Sequence, residues 1–510
     1  MRISSRAVRA ASVVVVLATV AAACSSDKQA ATTTAEATTA VATTAAGGSD
    51  TTMAGGSDTT AAAGATGCAA GPDTKLDATD GDGAGWMKWA LDCAKEKPMK
   101  AEGDPIVIGL QNPEGDPNGS FPEYTTAAKA ATEFINNELG GVGADYKAGK
   151  PGRPIKLEVC SMMISPADSQ KCANELAGKK PFAVYSTLNF FGNHFPIYAA
   201  AGIPVVVGTP LSPADFTSPG VYAIGGGGGC LGVHTGLIEF MANNLKKKKI
   251  SVPWADTPPG VFCYNDLEKK PLNVLNGTTK STSDMAGKIP DLTHIGVAVK
   301  PGQADVTPQA TQVLDFKPDG IIFSAQGADC WSMVASLAKL GWTSDATPLV
   351  LSGSCLDTEK AKAAGDTAKG IYFIGTTPIT QPDALEGLLK QEALVYADKM
   401  KQYGAGDDAG KGFGTQGFEG MMILFQTASE VSAKNPSFTG KDLGAALAAT
   451  KNAHSFGGTP LSCSTAPPPY VSVCNSTVTA TQWDGEKYNV VAKDFSGLHL
   501  IAGTELDLGS

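Results

Sequence analysis

PFAVYSTLNFFGNHFPIYAAAGIPVVVGTPLS, residues Pro181–Ser212, is the stretch whose reading decides the fold. Phe182–Ser186 and Ile203–Val207 are apolar at consecutive positions, as strands covered on both faces of a parallel sheet are. A short helix over about His194–Ala201 joins them into a βαβ unit, whose crossover is right-handed. Both following loops therefore leave the same carboxyl edge of the sheet, where open α/β sheets bind ligands. One loop carries Ser186, Thr187, Asn189, Phe190 and Phe191, the other Thr209 and Ser212. Hydroxyls, an amide and aromatic rings meeting at one edge predict a small-molecule site.

Outward from this stretch the alternation continues. Upstream, strand Ile106–Leu110 runs into the loop Gln111–Phe121 and a helix with Pro122 in its first turn. Strand Ile155–Cys160 follows, then a helix opened by Ser165-Pro166-Ala167-Asp168. Downstream, strand Val221–Ile224 enters Gly225–Gly229. Cys230 breaks the GxGxxG pattern there, so the glycines read as a flexible crossing and not as a nucleotide loop. A second series has strands near Val261–Cys263, Gly296–Val299, Gly320–Ser324 and Leu349–Leu351, with helices near Thr307–Leu314 and Trp331–Leu340. Strand Ile371–Ile374 and helices over Leu385–Tyr403, Thr415–Lys434 and Leu443–Ala449 make a return series. Gln482–Asp484 and Tyr488–Val491 read as terminal β structure. The fold class is α/β, with two doubly wound parallel-sheet lobes.

At 510 residues and 43% hydrophobic, the chain can fill two cores, and its net charge of −10 gives no footprint for nucleic acid. The dense basic run Lys246–Lys249 suits a solvated helix C-terminus. Arg2–Arg9 followed by apolar Ala11–Ala23 and then Cys24 reads as a secretion signal. It resembles the bacterial lipoprotein processing site, in which the Cys receives diacylglycerol, although Ala21 stands where Leu is usual. Residues 24–67, almost only Ala, Thr, Gly and Ser, have nothing to bury and read as a tether spanning roughly 35 Å.

Residues 68–103 read as a Cys-bounded extension. Asp77, Asp80 and Asp82 in it suit a turn-rich loop, because Lys88 stands where a calcium loop needs Glu. With Cys24 set aside, ten cysteines remain, and pairing neighbours gives Cys68 with Cys93, Cys160 with Cys172, Cys230 with Cys263, Cys330 with Cys355 and Cys463 with Cys474. Spacing alone leaves that connectivity open. No metal, cofactor or nucleophile motif accompanies the five histidines, and His194 reads as a polar cap of the short helix. Enzymatic activity is not expected.

IVIGLQNPEGDPNGS with the helix ending FINNELGGVG, then GRPIKLEVC with SPADSQKCANELA, YAAAGIPVVVGTPLSP, and PGQADVTPQATQVLDFKPDGIIFSAQGADCWSMVASLAKLGW occur in that order. The order and spacing resemble the extracellular solute-binding receptors of the leucine/isoleucine/valine-binding type, a type I periplasmic-binding-protein fold, over roughly Pro105 to Val491. The resemblance implies two lobes joined by three hinge crossovers, residues 104–228 with 354–455 and 229–353 with 456–510, closing over a ligand. It implies cleft loops Gln111–Phe121, Ser186–Phe191 and Gly208–Ser212, with Ser186 or Thr187 and Thr209 placed for a carboxylate. Gln303 stands where an acidic residue usually meets the amino group, so that role passes to Asp305, Glu114, Asp116 or Glu123, or the solute is not a plain α-amino acid. Phe121, Tyr124, Phe190, Phe191, Tyr264 and Trp331 would supply pocket aromatics. The implied function is a lipid-anchored, extracytoplasmic receptor that delivers an amino-acid-like or amide-like solute to ABC permease subunits. The alternative is a ligand-sensing or scaffold lipoprotein not coupled to transport.

Overall fold

In the computed structural model, residues 67–117, 119–225, 229–376, 379–466 and 468–505 are described. Residues 1–66, on which the expected signal segment, Cys24 and the expected tether fall, lie outside the described residues.

The first lobe alternates as its apolar pattern predicts. Helix α1 (Ala84–Glu96) precedes β1 (Ile106–Pro113), α2 (Pro122–Asn137), β2 (Ile155–Met162), α3 (Pro166–Gly178), β3 (Ala183–Leu188), α4 (Phe195–Ala200), β4 (Val205–Thr209), α5 (Pro213–Thr217) and β5 (Val221–Ala223). Proline opens α2 through α5, where its missing N–H costs nothing, and the Ser165 side chain accepts from Asp168 N at the start of α3. The five strands are all parallel in the order β2-β1-β3-β4-β5. That order reverses between β1 and β3, the switch point at which doubly wound sheets open a crevice.

The second lobe repeats the plan. It runs α6 (Cys230–Glu239), a π-helical turn over Phe240–Asn244, β6 (Lys249–Ala255), α7 (Pro258–Tyr264), a second π-helical turn over Asn265–Lys269, α8 (Lys270–Leu275), β7 (Thr293–Val299), α9 (Thr307–Asp315), β8 (Gly320–Phe323), α10 (Ala328–Lys339), β9 (Leu349–Ser352), α11 (Thr358–Ala364) and β10 (Tyr372–Gly375). The chain then returns to the first lobe with α12 (Gly387–Gln402), α13 (Gly412–Lys434) and α14 (Gly440–Ala449), and finishes with the hairpin β11 (Val478–Trp483) and β12 (Tyr488–Phe495). The second sheet has the order β12-β11-β10-β9-β8-β6-β7, parallel except for the antiparallel hairpin added at its edge.

Three expectations are corrected. Val261–Cys263 lies in α7, not in a strand; the strand of that unit is β6, whose Ile250 and Val252 are fully buried. The cause is the pair Pro258-Pro259 after the cap residue Thr257, which accepts from Gly260 N and starts a helix. The other two concern where the chain crosses between lobes. β10 pairs with β9 and β11, so the second crossing follows Gly375 and not residue 353. Residues 453–474 remain with the first lobe, through Ala453 beside Asp82, Val473 beside Ala223, and Phe456 in the first core; the third crossing therefore lies just before β11 and not at 455/456. The short apolar strand β10 suits either sheet by pattern alone, and pairing decides between them.

The ten described cysteines are joined as neighbours in five disulfides, Cys68–Cys93, Cys160–Cys172, Cys230–Cys263, Cys330–Cys355 and Cys463–Cys474. The extension 68–103 is not loose. Met87 and Leu91 of α1 are buried in the first core, each worth about 1.5–3 kcal/mol, and Trp86 packs 5.6 Å from Phe425 of α13. Asp77 Oδ1 accepts from Gly85 N (2.8 Å), so this aspartate serves the start of α1. Among the described residues no helix is long and apolar enough to cross a membrane.

Candidate functional site

The carboxyl edges of both sheets face a common cleft of about 180 Å³. A cavity of about 150 Å³ takes benzene, so this space suits a solute of amino-acid size and not a peptide. The first lobe lines it with Phe190, Thr209, Leu211, Phe413, Thr415 and Gln416, and the second with Val233, His234, Thr257, Ser324, Gln326 and Asp329. Gly353 and Gly375 form part of the floor. A Cβ on either would lie 2.9 Å from the other's Cα, so only glycine lets the two chain segments pass here.

On the first-lobe wall, Thr209 closes β4, and its hydroxyl bonds both to Tyr124 Oη and to Gln416 Oε1. Tyr124 Oη also meets Gln416 Oε1, so the three oxygens share two hydroxyl protons, and Tyr185 Oη donates to the Gln416 backbone carbonyl (2.6 Å). Burial pushes both phenols well above their ordinary value, so they act as neutral donors. Gln416 is thereby fixed by three hydroxyls at the end of the cleft.

Of the other residues expected there, Ser186, Thr187 and Asn189 are fully or almost fully buried and spend their hydrogen bonds inside the lobe. Ser186 donates to Asn189 Oδ1 (2.7 Å), Thr187 to Asn112 Oδ1, and Asn189 Nδ2 to Asp215 Oδ1 (2.9 Å). They hold the binding loops in place and do not line the cleft, while Phe190 and Thr209 do. His194 does not cap its helix through its side chain. Its ring bridges Ser169 (3.0 Å) and Ser186 (3.2 Å), and burial lowers it to about 3, which keeps it neutral.

The aromatic expectations divide in the same way. Phe121 is buried edge-on against Phe413 (5.3 Å), Tyr264 stacks on Trp254 (5.2 Å), and Trp331 is buried with its Nε1 donating to Cys355 O (3.1 Å). Phe191 lines a separate groove along the outer rim, which Phe190 also borders. Gln303 is absent from the cleft lining, and Asp305 is exposed and bonded to Thr307. Glu114 is engaged by Asn112 and Thr125, Asp116 accepts from Ile164 N (2.8 Å), and neither Asp116 nor Glu123 lines the cleft.

The cleft acid is Asp329, in the first turn of α10, which sequence reasoning missed. Partial burial raises its carboxyl, opposed by the Gly302 N–H it accepts (2.8 Å) and by the Lys360 charge. No Lys or Arg is among the described residues lining the cleft. Asp329 is thus placed to meet a cation or ammonium. One signal was available, a Gly-Ala-Asp run three residues after an apolar strand, which puts the acid at a helix start on the sheet's carboxyl edge.

His234 is the second residue missed, because its partners are remote in sequence. Its Nε2 lies 2.8 Å from Ser324 Oγ, and its Nδ1 lies 2.7 Å from Glu268 Oε1. Cys230 and Cys263 are also close enough to His234 for a metal-ligand cluster, but their sulfurs are bonded to each other and offer no thiolate.

Residues 105–465 match the family model described as periplasmic binding protein. The chain belongs to the periplasmic binding protein family. It is therefore a solute-binding protein and not an enzyme, placed by its family on the extracytoplasmic side of the membrane. Solved structures share the fold. A leucine binding protein LivK from Thermotoga maritima has 14% identity and a TM-score of 0.56, over 76% of this chain and 98% of that one. LivJ, the branched-chain amino acid transporter substrate binding protein from Streptococcus pneumoniae, in complex with isoleucine, has 14% identity and a TM-score of 0.53, over 76% of this chain and all of that one. A putative branched-chain amino acid ABC transporter structure from Rhodospirillum rubrum has 16% identity and a TM-score of 0.53 over the same shares. No curated protein sequence matches.

Proposed function

We propose that this periplasmic binding protein captures a small amino-acid-like or amide-like solute by closure of its two lobes and hands it to ABC permease subunits. The observation that carries the reading is the pairing of opposed walls. Thr209 and the fixed Gln416 stand on the first-lobe wall, Asp329 on the second, and no lining residue is a Lys or Arg. A zwitterion or amide finds hydroxyls and an amide for its polar oxygens and a carboxylate for its nitrogen. Phe190, Leu211 and Phe413 leave an apolar side for its remainder. A leucine binding protein and an isoleucine complex among the structural relatives support the same solute class.

Lobe one would comprise the described residues from 68 to 225 together with 379–475, and lobe two those from 229 to 376 together with 476–505. Cleavage after residue 23 and lipid on Cys24 would anchor the protein, with residues 24–67 as the tether. Isothermal titration with L-isoleucine, L-phenylalanine, L-glutamine and their carboxamides tests the solute class. Saturable binding accompanied by a smaller radius of gyration in X-ray scattering is expected. No saturable binding by any of them overturns the solute class, and mass spectrometry showing an unmodified Cys24 overturns the anchor.

A further inference from the structure

We propose that Ser324 is a ligand-binding hydroxyl, oriented as a hydrogen-bond donor by a buried His234–Glu268 pair, and that it receives a carboxylate oxygen of the solute. The inference rests on the amino-acid-like reading above and adds a residue and a direction of hydrogen bonding to it.

The local fold builds the arrangement from three elements. Ser324 follows β8 directly at the carboxyl edge and lines the cleft. His234 lies one turn after Cys230 on α6, and the Cys230–Cys263 disulfide ties α6 to α7. The π-helical turn Asn265–Lys269 continues from α7 and carries Glu268, whose side chain has no exposure to solvent. Such turns within helices are frequent at functional sites.

Glu268 has no well-aligned hydrogen bond among the described residues; its close polar neighbour is His234 Nδ1 at 2.7 Å. A lone carboxylate in that position is strongly disfavoured by desolvation, and charge balance within the pair removes most of that penalty. The pair is balanced in two ways. Either Glu268 is ionised and His234 is an imidazolium, or Glu268 is protonated and donates to Nδ1 of a neutral ring. In both, Nε2 carries a hydrogen; the remaining arrangement, a neutral ring donating Nδ1–H to an ionised Glu268 and accepting from Ser324 at Nε2, leaves a net charge on the fully buried carboxylate and is disfavoured on that ground. Nε2–H therefore donates to Ser324 Oγ at 2.8 Å, and the Ser324 O–H is turned away from the ring and toward the cleft. The hydroxyl is fixed as a donor before the solute arrives, so no reorientation cost falls on binding. Asp329, five residues later on the same strand-to-helix connection, offers the complementary acceptor for an ammonium. His234 and Glu268 are positioning residues; Ser324 makes the contact.

The test is titration calorimetry of the full chain with L-isoleucine, L-phenylalanine and L-glutamine, each beside its carboxamide. The ratio of acid to amide affinity is the readout, because loss of structure alone does not move a ratio. Ser324→Ala is expected to weaken the acids roughly 10- to 100-fold, the weight of a hydrogen bond to a charged group, and to weaken the amides less. Pairing His234→Gln with Glu268→Gln keeps an N–H near the position of Nε2 without a buried charge, and is expected to hold the ratio within about threefold of the parent. Pairing His234→Asn with Glu268→Gln withdraws that N–H and is expected to lower the ratio as Ser324→Ala does. An unchanged ratio in Ser324→Ala, with the parent binding the acids, overturns this assignment alone. Failure of the parent to bind any acid or amide overturns the solute class and this assignment together.

Discussion

Replacing Glu419 by Gln should change how stability depends on pH, and the size of the change follows from its surroundings. Glu419 lies on α13, within the first lobe, with Ser455 Oγ donating to it at 3.1 Å. Burial, reinforced by the nearby Glu392 charge and only partly offset by Ser455, pushes its carboxyl up to about 8 from an ordinary 4.5. Below 4.5 the folded and unfolded chains both hold the proton. Between 4.5 and 8 the unfolded chain loses it while the folded chain keeps it, so stability falls as pH rises. The slope is about 1.4 kcal/mol per pH unit, which over that window comes to about 5 kcal/mol, and above it the curve is flat again. Glutamine imitates the protonated form and does not titrate. Guanidinium unfolding of the two proteins at pH 5, 6, 7 and 8, followed by tryptophan fluorescence with the disulfides intact, should therefore give curves that diverge steadily. The variant gains several kcal/mol relative to the parent by pH 8, since other titrations cancel in the difference. Parallel curves across this range would refute the reasoning, because they would mean that Glu419 ionises in the fold as it does in water.

Three further outcomes are expected. Asp329→Asn should weaken amine-bearing solutes roughly 10- to 100-fold while leaving their 2-hydroxy analogues within a few-fold, since only the ammonium loses a charged partner; titration calorimetry reads both. Changing Cys68 and Cys93 together to Ser opens a 25-residue separation and should cost about 3 kcal/mol, seen first as faster amide exchange in α1. His454 is buried, which pulls its value down, but its 2.7 Å contact with Glu392 and the Asp80 carbonyl outweigh burial and hold it above the ordinary range. Its contribution is then complete below the unfolded value and is lost as pH rises through the folded one. Glu392→Gln should cost about 3–5 kcal/mol, most at acidic pH and least at alkaline pH, as read by denaturation at pH 5 and pH 9.

What the sequence discloses, and what it hides, divides along a physical line. Strand cores and helix starts are legible because they depend on neighbours in sequence: the apolar runs of β3 and β4, the proline at the start of α2 and the Ser165 cap lie where the residue pattern put them, but both strands run two residues further than expected, so Thr187 falls within β3 and Thr209 within β4 and not in loops. The Pro258-Pro259 pair carried the same kind of signal and marks the start of α7, yet the apolar residues after it read as a strand. The use to which a polar side chain is put depends on partners remote in sequence. Ser186, Thr187 and Asn189 sit at a strand end that faces the cleft, but His194, Asn112 and Asp215 take up their hydrogen bonds. Thr209 escapes the same fate because its neighbour across the lobe is Gln416, 207 residues away, itself at the cleft surface. The second-lobe wall shows the effect more strongly. Ser324, His234 and Glu268 are separated by 34 to 90 residues and share no motif, so only the folded chain brings them together. A cleft built from strand ends therefore announces its position in sequence through local patterning, while its chemistry is written in pairings across elements. For this reason the proposed solute class rests on Asp329 and Gln416, on opposed walls, and not on the hydroxyls nearest the most legible loop.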